Sequence, residues 1–289
     1  MKTGEKYERE LYEPILSMHE LDEKSFSLNR KKANTAGWQL YLLGILAGLY
    51  ISIGGYGYLA AQAAGVGRAV ASVVFCTGLI MVLIAGAELF TGNVMMITGL
   101  FNGTYSPFKV LKNWTIVYAA NLTGSLLAVL LIINSGMMFS PEGISKIGRI
   151  AVEVAHVKMS YSFSQATILG FFCNILVIIA IIMATTVKDG ISKILCIIFP
   201  ISLFVLCGFE HSVANMFLIP LGLLIDGAAP SELLQASKNI LPVTLGNILG
   251  GVFILGIHPL RLRQVSHLIS HKKSYGNGQK AEFRLHGFS

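Results

Sequence analysis

Charged residues are scarce in this sequence, and their scarcity is the first guide to its class. Asp, Glu, Lys and Arg make up 13% of the 289 residues, while hydrophobic residues make up 54%; an ordinary soluble domain carries about 25% charged residues. Because a helix needs about 20 apolar residues to cross the hydrocarbon core, long charge-free runs predict six transmembrane helices. Four runs contain no charged residue and two contain one glutamate each: 37–67, 113–141, 159–187 and 240–260, then 69–108 and 194–225.

Other patterns are missing as well. No apolar run alternates with period two, which excludes a membrane β-barrel. The sequence has no C-x-x-C pair and no metal-binding spacing, so we expect no metal and no cofactor. No apolar segment precedes Trp38, and we expect no cleaved signal peptide. The four cysteines all lie in apolar runs and are interpreted as small buried hydrophobic residues: Cys76, Cys173, Cys196 and Cys207.

The net charge of +7 follows membrane topology, so we do not expect a nucleic-acid partner. Of the 22 Lys and Arg residues, 17 fall in the N-terminal segment, the loops after helices two and four, and the C-terminal tail. These segments all lie on one side of a six-helix membrane protein. By the positive-inside rule, both termini are therefore predicted to be cytoplasmic.

Polar segments flank the membrane domain at both ends. Residues 1–36 are predicted to form a cytoplasmic amphipathic helix at the membrane interface, or a partner-docking segment. Residues 37–260 form the six-helix transmembrane domain, and residues 261–289 form a basic cytoplasmic tail that is expected to be solvated or to contact anionic lipid. The apolar positions of the first segment are spaced about one helical turn apart: Leu11, Ile15, Leu16 and Met18.

The membrane domain repeats itself. The motif G-x-E-x-x-x-x-N occurs at 86–93 as GAELFTGN and at 208–215 as GFEHSVAN, 122 positions apart. Other polar and small residues of helices one and three recur in helices four and six at an offset of 126. Three helices per half is an odd number, so the second half must enter the membrane inverted, as in many transport folds. The recurring pairs are Gly44 with Gly170, Gly48 with Asn174, Asn121 with Asn247, and Gly124 with Gly250.

The second and fifth apolar runs are too long for straight transmembrane helices. As helices over 69–101 and 194–224 they would each exceed about 45 Å, and the Gly-x-Glu lies in the middle of each. We expect both helices to be broken there, because unwound backbone at mid-membrane is tolerated where it lines a cavity. Paired broken helices in inverted halves are typical of a permeation site.

Two glutamates at bilayer depth need a reason. Glu88 and Glu210 are predicted to accept hydrogen bonds from half-helix N–H groups that would otherwise go unmet; a proton relay is the alternative. Five further residues are predicted to support the breaks, either by hydrogen bonding or by permitting unusual dihedrals and close approach: Asn93, Asn215, Gly86, Gly92 and Gly208.

His211 stands apart because its counterpart in the repeat is Leu89, so the fold does not require a histidine there. One interpretation is a buried neutral histidine that bonds a backbone carbonyl. The other is a donor of a hydrogen bond or proton to a weak acid that permeates the membrane. Thr91, at the first break, offers a second small donor.

With these motifs, the sequence resembles the formate/nitrite transporter family from about Tyr12 to Leu260. ELFTGN at 88–93 and GFEHSVANMFLIP at 208–220 carry the likeness. The resemblance implies an all-α, aquaporin-like, inverted 3+3 arrangement of six transmembrane helices, with helices two and five broken, in a bacterial cytoplasmic (inner) membrane. It further implies a homopentamer with one pore per subunit, and transport of formate, nitrite or hydrosulfide.

The resemblance also implies roles for individual residues. His211 would be the central pore histidine, Thr91 its partner, and Asn174 a residue at the pore centre. Lys158, in an outer loop, would draw anions into the vestibule. Hydrophobic constrictions on either side of His211 would be formed by Phe75, Leu79, Leu89, Phe90 and Phe204.

The function expected on this basis is a channel or transporter for small monovalent anions, with formate first and proton linkage through His211. Nitrite or hydrosulfide is the alternative substrate. A neutral-solute channel of the aquaporin type is a rival, but neither break contains an Asn-Pro-Ala motif. A membrane enzyme is disfavoured because no nucleophile–base or metal spacing is present, and a structural membrane protein because polar groups lie at both breaks.

Overall fold

The computed structural model describes residues 15–101 and 103–258. Within them, six helical stretches are long and apolar enough to cross a membrane, as predicted. We call them the first to sixth spans: Gly37–Ala63, Gly67–Gly86, Pro107–Asn134, Phe163–Thr186, Gly190–Cys207 and Pro230–Ile257. Shorter helices cover Met18–Asn34, Phe90–Phe101, Lys146–Met159 and Ser212–Ile225, and a small hairpin pairs strands Phe139–Ser140 and Gly143–Ile144.

The helix Met18–Asn34 marks one end of the bundle, which we call the proximal face; the other end is the distal face. The helix begins with a capping box, in which the Ser17 hydroxyl accepts from the Glu20 N–H and the Glu20 carboxylate accepts from the Ser17 N–H. The predicted helical spacing of Ile15 and Leu16 was wrong, because these residues are extended and pair with the end of the fourth span at 186–187. Leu11 and residues 259–289 lie outside the described residues.

The two halves of the chain pack in the same way. The first span crosses the third, and the fourth crosses the sixth, through small residues that bring the backbones together. A Cβ on Gly124 would collide with the Ile45 carbonyl, and a Cβ on Gly250 would collide with the Phe171 carbonyl. Both members of the second pair lie 126 positions after those of the first. The close helix crossings are thus duplicated, as expected of the predicted 3+3 repeat.

Both predicted helix breaks are present. The second span ends in a turn of π-helix, Met81–Gly86, where Gly86 has φ 91°, and the next helix begins at Phe90. The fifth span ends at Gly208, which has φ 75°, and the next helix begins at Ser212 with His211 as its N-cap. Both glycines occupy the left-handed region, where other residues are strained. Extended backbone between these helix ends places Glu88 and Glu210 inside the bundle.

The helix Lys146–Met159 was not predicted. It begins at the Ser145 N-cap and packs small residues against the helix Ser212–Ile225, where a Cβ on Gly222 would collide with the Ala151 carbonyl. Lys158 therefore lies in the last turn of a helix on the distal face rather than in a loop. Because charged residues interrupt the helix Lys146–Met159, this segment was predicted to be a loop between two spans.

Candidate permeation site

The second break is held by a buried polar cluster around Glu210. Lys158 Nζ donates to Glu210 Oε1 at 2.8 Å, and Asn215 Nδ2 donates to Oε2 at 2.6 Å. Asn215 also donates to Asn239 Oδ1 at 2.7 Å, and Asn239 Nδ2 donates to the Lys158 carbonyl at 2.7 Å. The Glu210 side chain is only 3% exposed. The lysine therefore balances a carboxylate that would be costly to bury alone.

The first break contains the same cluster. Lys32 Nζ donates to Glu88 Oε2 at 2.7 Å, and Asn93 Nδ2 donates to the same oxygen at 2.8 Å. Asn93 also donates to Asn113 Oδ1, and Asn113 Nδ2 donates to the Lys32 carbonyl. Lys32 and Asn113 precede Lys158 and Asn239 by 126 positions. The helix Met18–Asn34 thus supplies the lysine that pairs with the glutamate of the first break, and the helix Lys146–Met159 supplies the equivalent lysine at the second.

The main chain at each break is bonded by an asparagine from the neighbouring span. Asn121 Nδ2 donates to the Gly44 and Glu88 carbonyls, and its Oδ1 accepts from the Phe90 N–H. Asn247 makes the matching three bonds to Gly170, Glu210 and Ser212. The predicted backbone donors to the two glutamates were therefore wrong. The carboxylates bond side chains, because the asparagines already occupy the main-chain groups at the breaks.

His211 and Thr91 meet where the two breaks face each other. His211 Nδ1 accepts from the Ala214 N–H at 3.1 Å, which leaves Nε2 as the protonated nitrogen of a neutral ring. Nε2 then donates to Thr91 Oγ1 at 2.9 Å. Both residues are buried, and the imidazole stacks on the Phe204 ring at a centroid distance of 6.0 Å. The histidine therefore bonds a hydroxyl group from the other half of the repeat, not a backbone carbonyl.

Asn174 lies beside this pair and is fully buried. Its Nδ2 donates to the Thr91 carbonyl at 3.3 Å and to the Asn247 carbonyl at 2.6 Å. Its Oδ1 is buried without a hydrogen-bond donor among the described residues. Since a buried polar atom is normally satisfied, this oxygen is an available acceptor on a side chain that already bonds the Thr91 main chain.

Two cavities approach the histidine from opposite faces. The distal cavity, about 330 Å³, is lined by Lys158, Glu210 and His211 as well as Phe75 and Phe204. The proximal cavity, about 890 Å³, has Leu79 and Leu89 among its lining residues. Phe75 and Phe204 contact each other edge to face at 5.8 Å between ring centroids. The four apolar side chains therefore stand on the two sides of the His211–Thr91 pair.

Two predicted site residues occupy unexpected positions. Phe90 lines neither cavity; it packs edge to face against Tyr118 at 4.9 Å and Trp114 at 6.0 Å between ring centroids. Gly92 has no positive φ. Of the two roles predicted for it, the structure supports close packing, because a Cβ on Gly92 would lie only 3.0 Å from Ile181 Cδ1.

Sequence reasoning missed three members of the polar clusters: Lys32, Asn113 and Asn239. A signal for them existed, because Lys32 precedes Lys158 by the same 126 positions that separate Asn113 from Asn239. It was overlooked because Lys32 lies in a polar segment, where a lysine carries no information by itself. Only the offset of the repeat distinguishes it from Lys24 or Lys31.

Comparison with known proteins agrees with this architecture. A family model described as formate/nitrite transporter matches residues 19–260. The formate channel FocA of Escherichia coli (strain K12) is 32% identical over 249 residues, which cover 78% of this chain and 87% of FocA. A probable formate transporter of Methanothermobacter thermautotrophicus is 36% identical over 237 residues, covering 75% of this chain and 86% of that protein.

Solved structures give the same result. A pentameric formate channel with formate bound is 30% identical with a TM-score of 0.66, and the match covers 77% of this chain and 95% of that one. An FNT family ion channel is 29% identical with a TM-score of 0.72, covering 83% of this chain and 96% of that one. These relatives are named as channels and transporters. The chain is therefore an integral membrane protein and belongs to the formate/nitrite transporter family.

Proposed function

We propose that this protein conducts small monovalent anions, formate first, between the two cavities and past His211. The observation that carries the proposal is the 2.9 Å bond between His211 Nε2 and Thr91 Oγ1, which lies between apolar constrictions with a cavity on each side. Nitrite and hydrosulfide, small anions of the same charge, are the alternative substrates.

The proposed mechanism is that the apolar constrictions remove water from the anion and that His211 and Thr91 replace this water with hydrogen bonds. An anion that passes Phe75 and Phe204 must shed water, and an unpaired charge is expensive in an apolar medium. At the centre, the His211 Nε2–H and the Thr91 hydroxyl replace hydration with hydrogen bonds. Once Nδ1 has taken up a proton from the distal cavity and given up its bond with the Ala214 N–H, the His211 imidazolium would transfer one proton to formate and return to a neutral ring. The product, neutral formic acid, crosses Leu79 and Leu89 at far lower cost. The Asn174 Oδ1 is an acceptor for the proton of that acid.

We further propose that the active form is a homopentamer in a bacterial cytoplasmic membrane, with both termini on the cytoplasmic side. The solved pentameric formate channel supports the assembly. The concentration of Lys and Arg in the segments of one side supports the orientation. On this assignment the proximal face is cytoplasmic and the distal face, with Lys158 in its cavity, is the outer one.

The test compares two replacements of His211 in liposomes. His211→Asn keeps a hydrogen-bond donor but carries no titratable proton, and His211→Phe has neither. We expect formate flux between pH 5 and 7 to fall in both, with residual, pH-independent flux only for His211→Asn. His156→Phe is the control, because His156 lies on the distal face outside both cavities and should leave flux unchanged. Unchanged flux and pH dependence in His211→Phe would refute the proposal.

A further inference from the structure

The two cavities carry different charge. Four charged side chains line the distal cavity, and they balance: Arg68 and Lys158 against Glu153 and Glu210. The proximal cavity is lined by four lysines and a single carboxylate, Glu88. Because Glu88 is already paired with Lys32 at 2.7 Å, three cationic side chains remain there without a balancing charge on the cavity wall: Lys24, Lys31 and Lys193.

The three lysines converge from two directions. Lys24 and Lys31 are seven residues apart on the helix Met18–Asn34, so they project from the same side of it toward the cavity. Lys193 comes from the first turns of the fifth span, across the cavity. Within 15–101 and 103–258, none of the three lies within 4 Å of a carboxylate.

Their like charges act on one another. Lys24 Nζ donates to the Thr185 carbonyl at 3.1 Å, at the end of the fourth span. Burial lowers the pKa of Lys24, and the nearby charges of Lys193 and Lys188 lower it further. A bound anion would reduce the repulsion between these lysines, and a multivalent anion can form charge-assisted hydrogen bonds with several of them at once.

We propose that the proximal cavity binds a multivalent phosphate-bearing anion between Lys24, Lys31 and Lys193, and that this anion blocks the pore. The volume of about 890 Å³ is in the range of sites for molecules of nucleotide size. Leu79 and Leu89, the proposed apolar constriction, lie on the wall of this cavity, and a hydrated multivalent anion cannot shed its water to pass them. It would occupy the vestibule without crossing, and so reduce formate flux.

The test uses inorganic pyrophosphate as the probe. The variant Lys24→Gln/Lys193→Gln removes two of the cations, Lys24→Arg/Lys193→Arg retains their charge, and Lys112→Gln removes an exposed lysine of the same face that lines neither cavity. Titration calorimetry on the solubilised protein measures binding directly. We expect the Gln double variant to bind about tenfold more weakly than the parent, and the Arg double variant and Lys112→Gln to bind like the parent.

Formate flux gives the second readout, with pyrophosphate on both sides of phosphatidylcholine vesicles and each rate normalised to the same variant without pyrophosphate. This readout depends on the proposed function, whereas calorimetry does not. If no variant conducts formate even without pyrophosphate, the proposed function is wrong, and the calorimetry still tests the binding site. A parallel set of vesicles with phosphatidylglycerol and no pyrophosphate distinguishes a lipid headgroup from a soluble anion as the source of phosphate. The inference is overturned if the parent binds no pyrophosphate, or if the Gln double variant binds and is blocked as strongly as the parent.

Discussion

The two lysine–glutamate pairs are chemically identical, yet the structure predicts that they contribute unequally to stability. The Lys158–Glu210 side chains are 14% and 3% exposed, whereas the Lys32–Glu88 side chains are 25% and 14% exposed. Removing one partner of a buried pair leaves an uncompensated charge and costs about 3–5 kcal/mol. We therefore expect Lys158→Met to lower the free energy of unfolding by about 3–5 kcal/mol. For Lys32→Met we expect about 1–2 kcal/mol, because the Lys32 and Glu88 side chains are more exposed to solvent than Lys158 and Glu210.

A second substitution separates the cost of leaving the glutamate charge unpaired from the cost of losing the packing of the lysine side chain. Adding Glu210→Gln to Lys158→Met removes the stranded charge but keeps an acceptor for Asn215, so most of the lost stability should return. Glu88→Gln should recover less when added to Lys32→Met, since less was lost. The two double-mutant cycles thus isolate the energy of each pair from the packing of its side chains.

The assay is equilibrium unfolding in mixed micelles, followed by far-UV circular dichroism at pH 7. Lys112→Gln, which removes an exposed lysine outside both clusters, is the control and should stay within about 0.5 kcal/mol of the parent. Equal losses for Lys158→Met and Lys32→Met would show that burial does not set the energies of these pairs. Failure of Glu210→Gln to recover stability would show that the stranded charge is not the cause.

Two further substitutions test other parts of the site. Asn247→Ala removes two hydrogen bonds to the second break and one to the fourth span, and should cost about 3 kcal/mol or more, measured by the same unfolding assay. Asn134→Ala, which removes a surface bond within one helix, should cost well under 1 kcal/mol, and equal costs would contradict the bonding role. Phe204→Ala opens the distal constriction and should raise acetate flux relative to formate severalfold in liposomes. Phe199→Ala, on the lipid-exposed side of the same span, should not change that ratio, and an unchanged ratio in Phe204→Ala would mean that the ring does not select for size.

Much of the fold could be predicted because the membrane imposes it. A charge-free run such as 113–141 has few alternatives to a transmembrane helix, and two overlong runs with Gly-x-Glu at their centres had to be broken. The helix Lys146–Met159 could not be predicted in this way, because charged residues interrupt its apolar positions and its helical state depends on packing against Ser212–Ile225.

The site was less predictable, because its contacts join residues far apart in the chain. Asn215 was expected to support the break near Glu210, five positions away, but Lys32 reaches Glu88 over 56 positions and Asn239 bonds the Lys158 carbonyl over 81. Phe90 shows the opposite problem. The family resemblance alone placed it at a constriction, while its side chain packs against Tyr118 and Trp114.

The repeat separates residues that hold the fold from those proposed to contact the anion. Every member of the Lys32 cluster has a chemically identical counterpart in the Lys158 cluster, and Asn121 has Asn247. A purely structural demand on two equivalent breaks should produce such pairs. The residues proposed to contact the anion have no identical counterpart: His211 corresponds to Leu89, Thr91 to Val213, and Asn174 to Gly48.

This asymmetry gives a direct test. The variant Thr91→Val/His211→Leu places in each break the residue that the other break already tolerates. It removes both partners of the 2.9 Å bond together, and replacing both partners of a buried hydrogen bond by apolar groups is nearly neutral for stability. Either single replacement strands one partner and should cost about 1–3 kcal/mol. The double variant still loses the His211 Nδ1 cap on the Ala214 N–H, which costs about 1 kcal/mol. We therefore expect it to be at least as stable as His211→Leu alone and to lose formate flux; a double variant that still conducts formate, or that unfolds more readily than both single variants, would show that these residues serve the fold and not the anion.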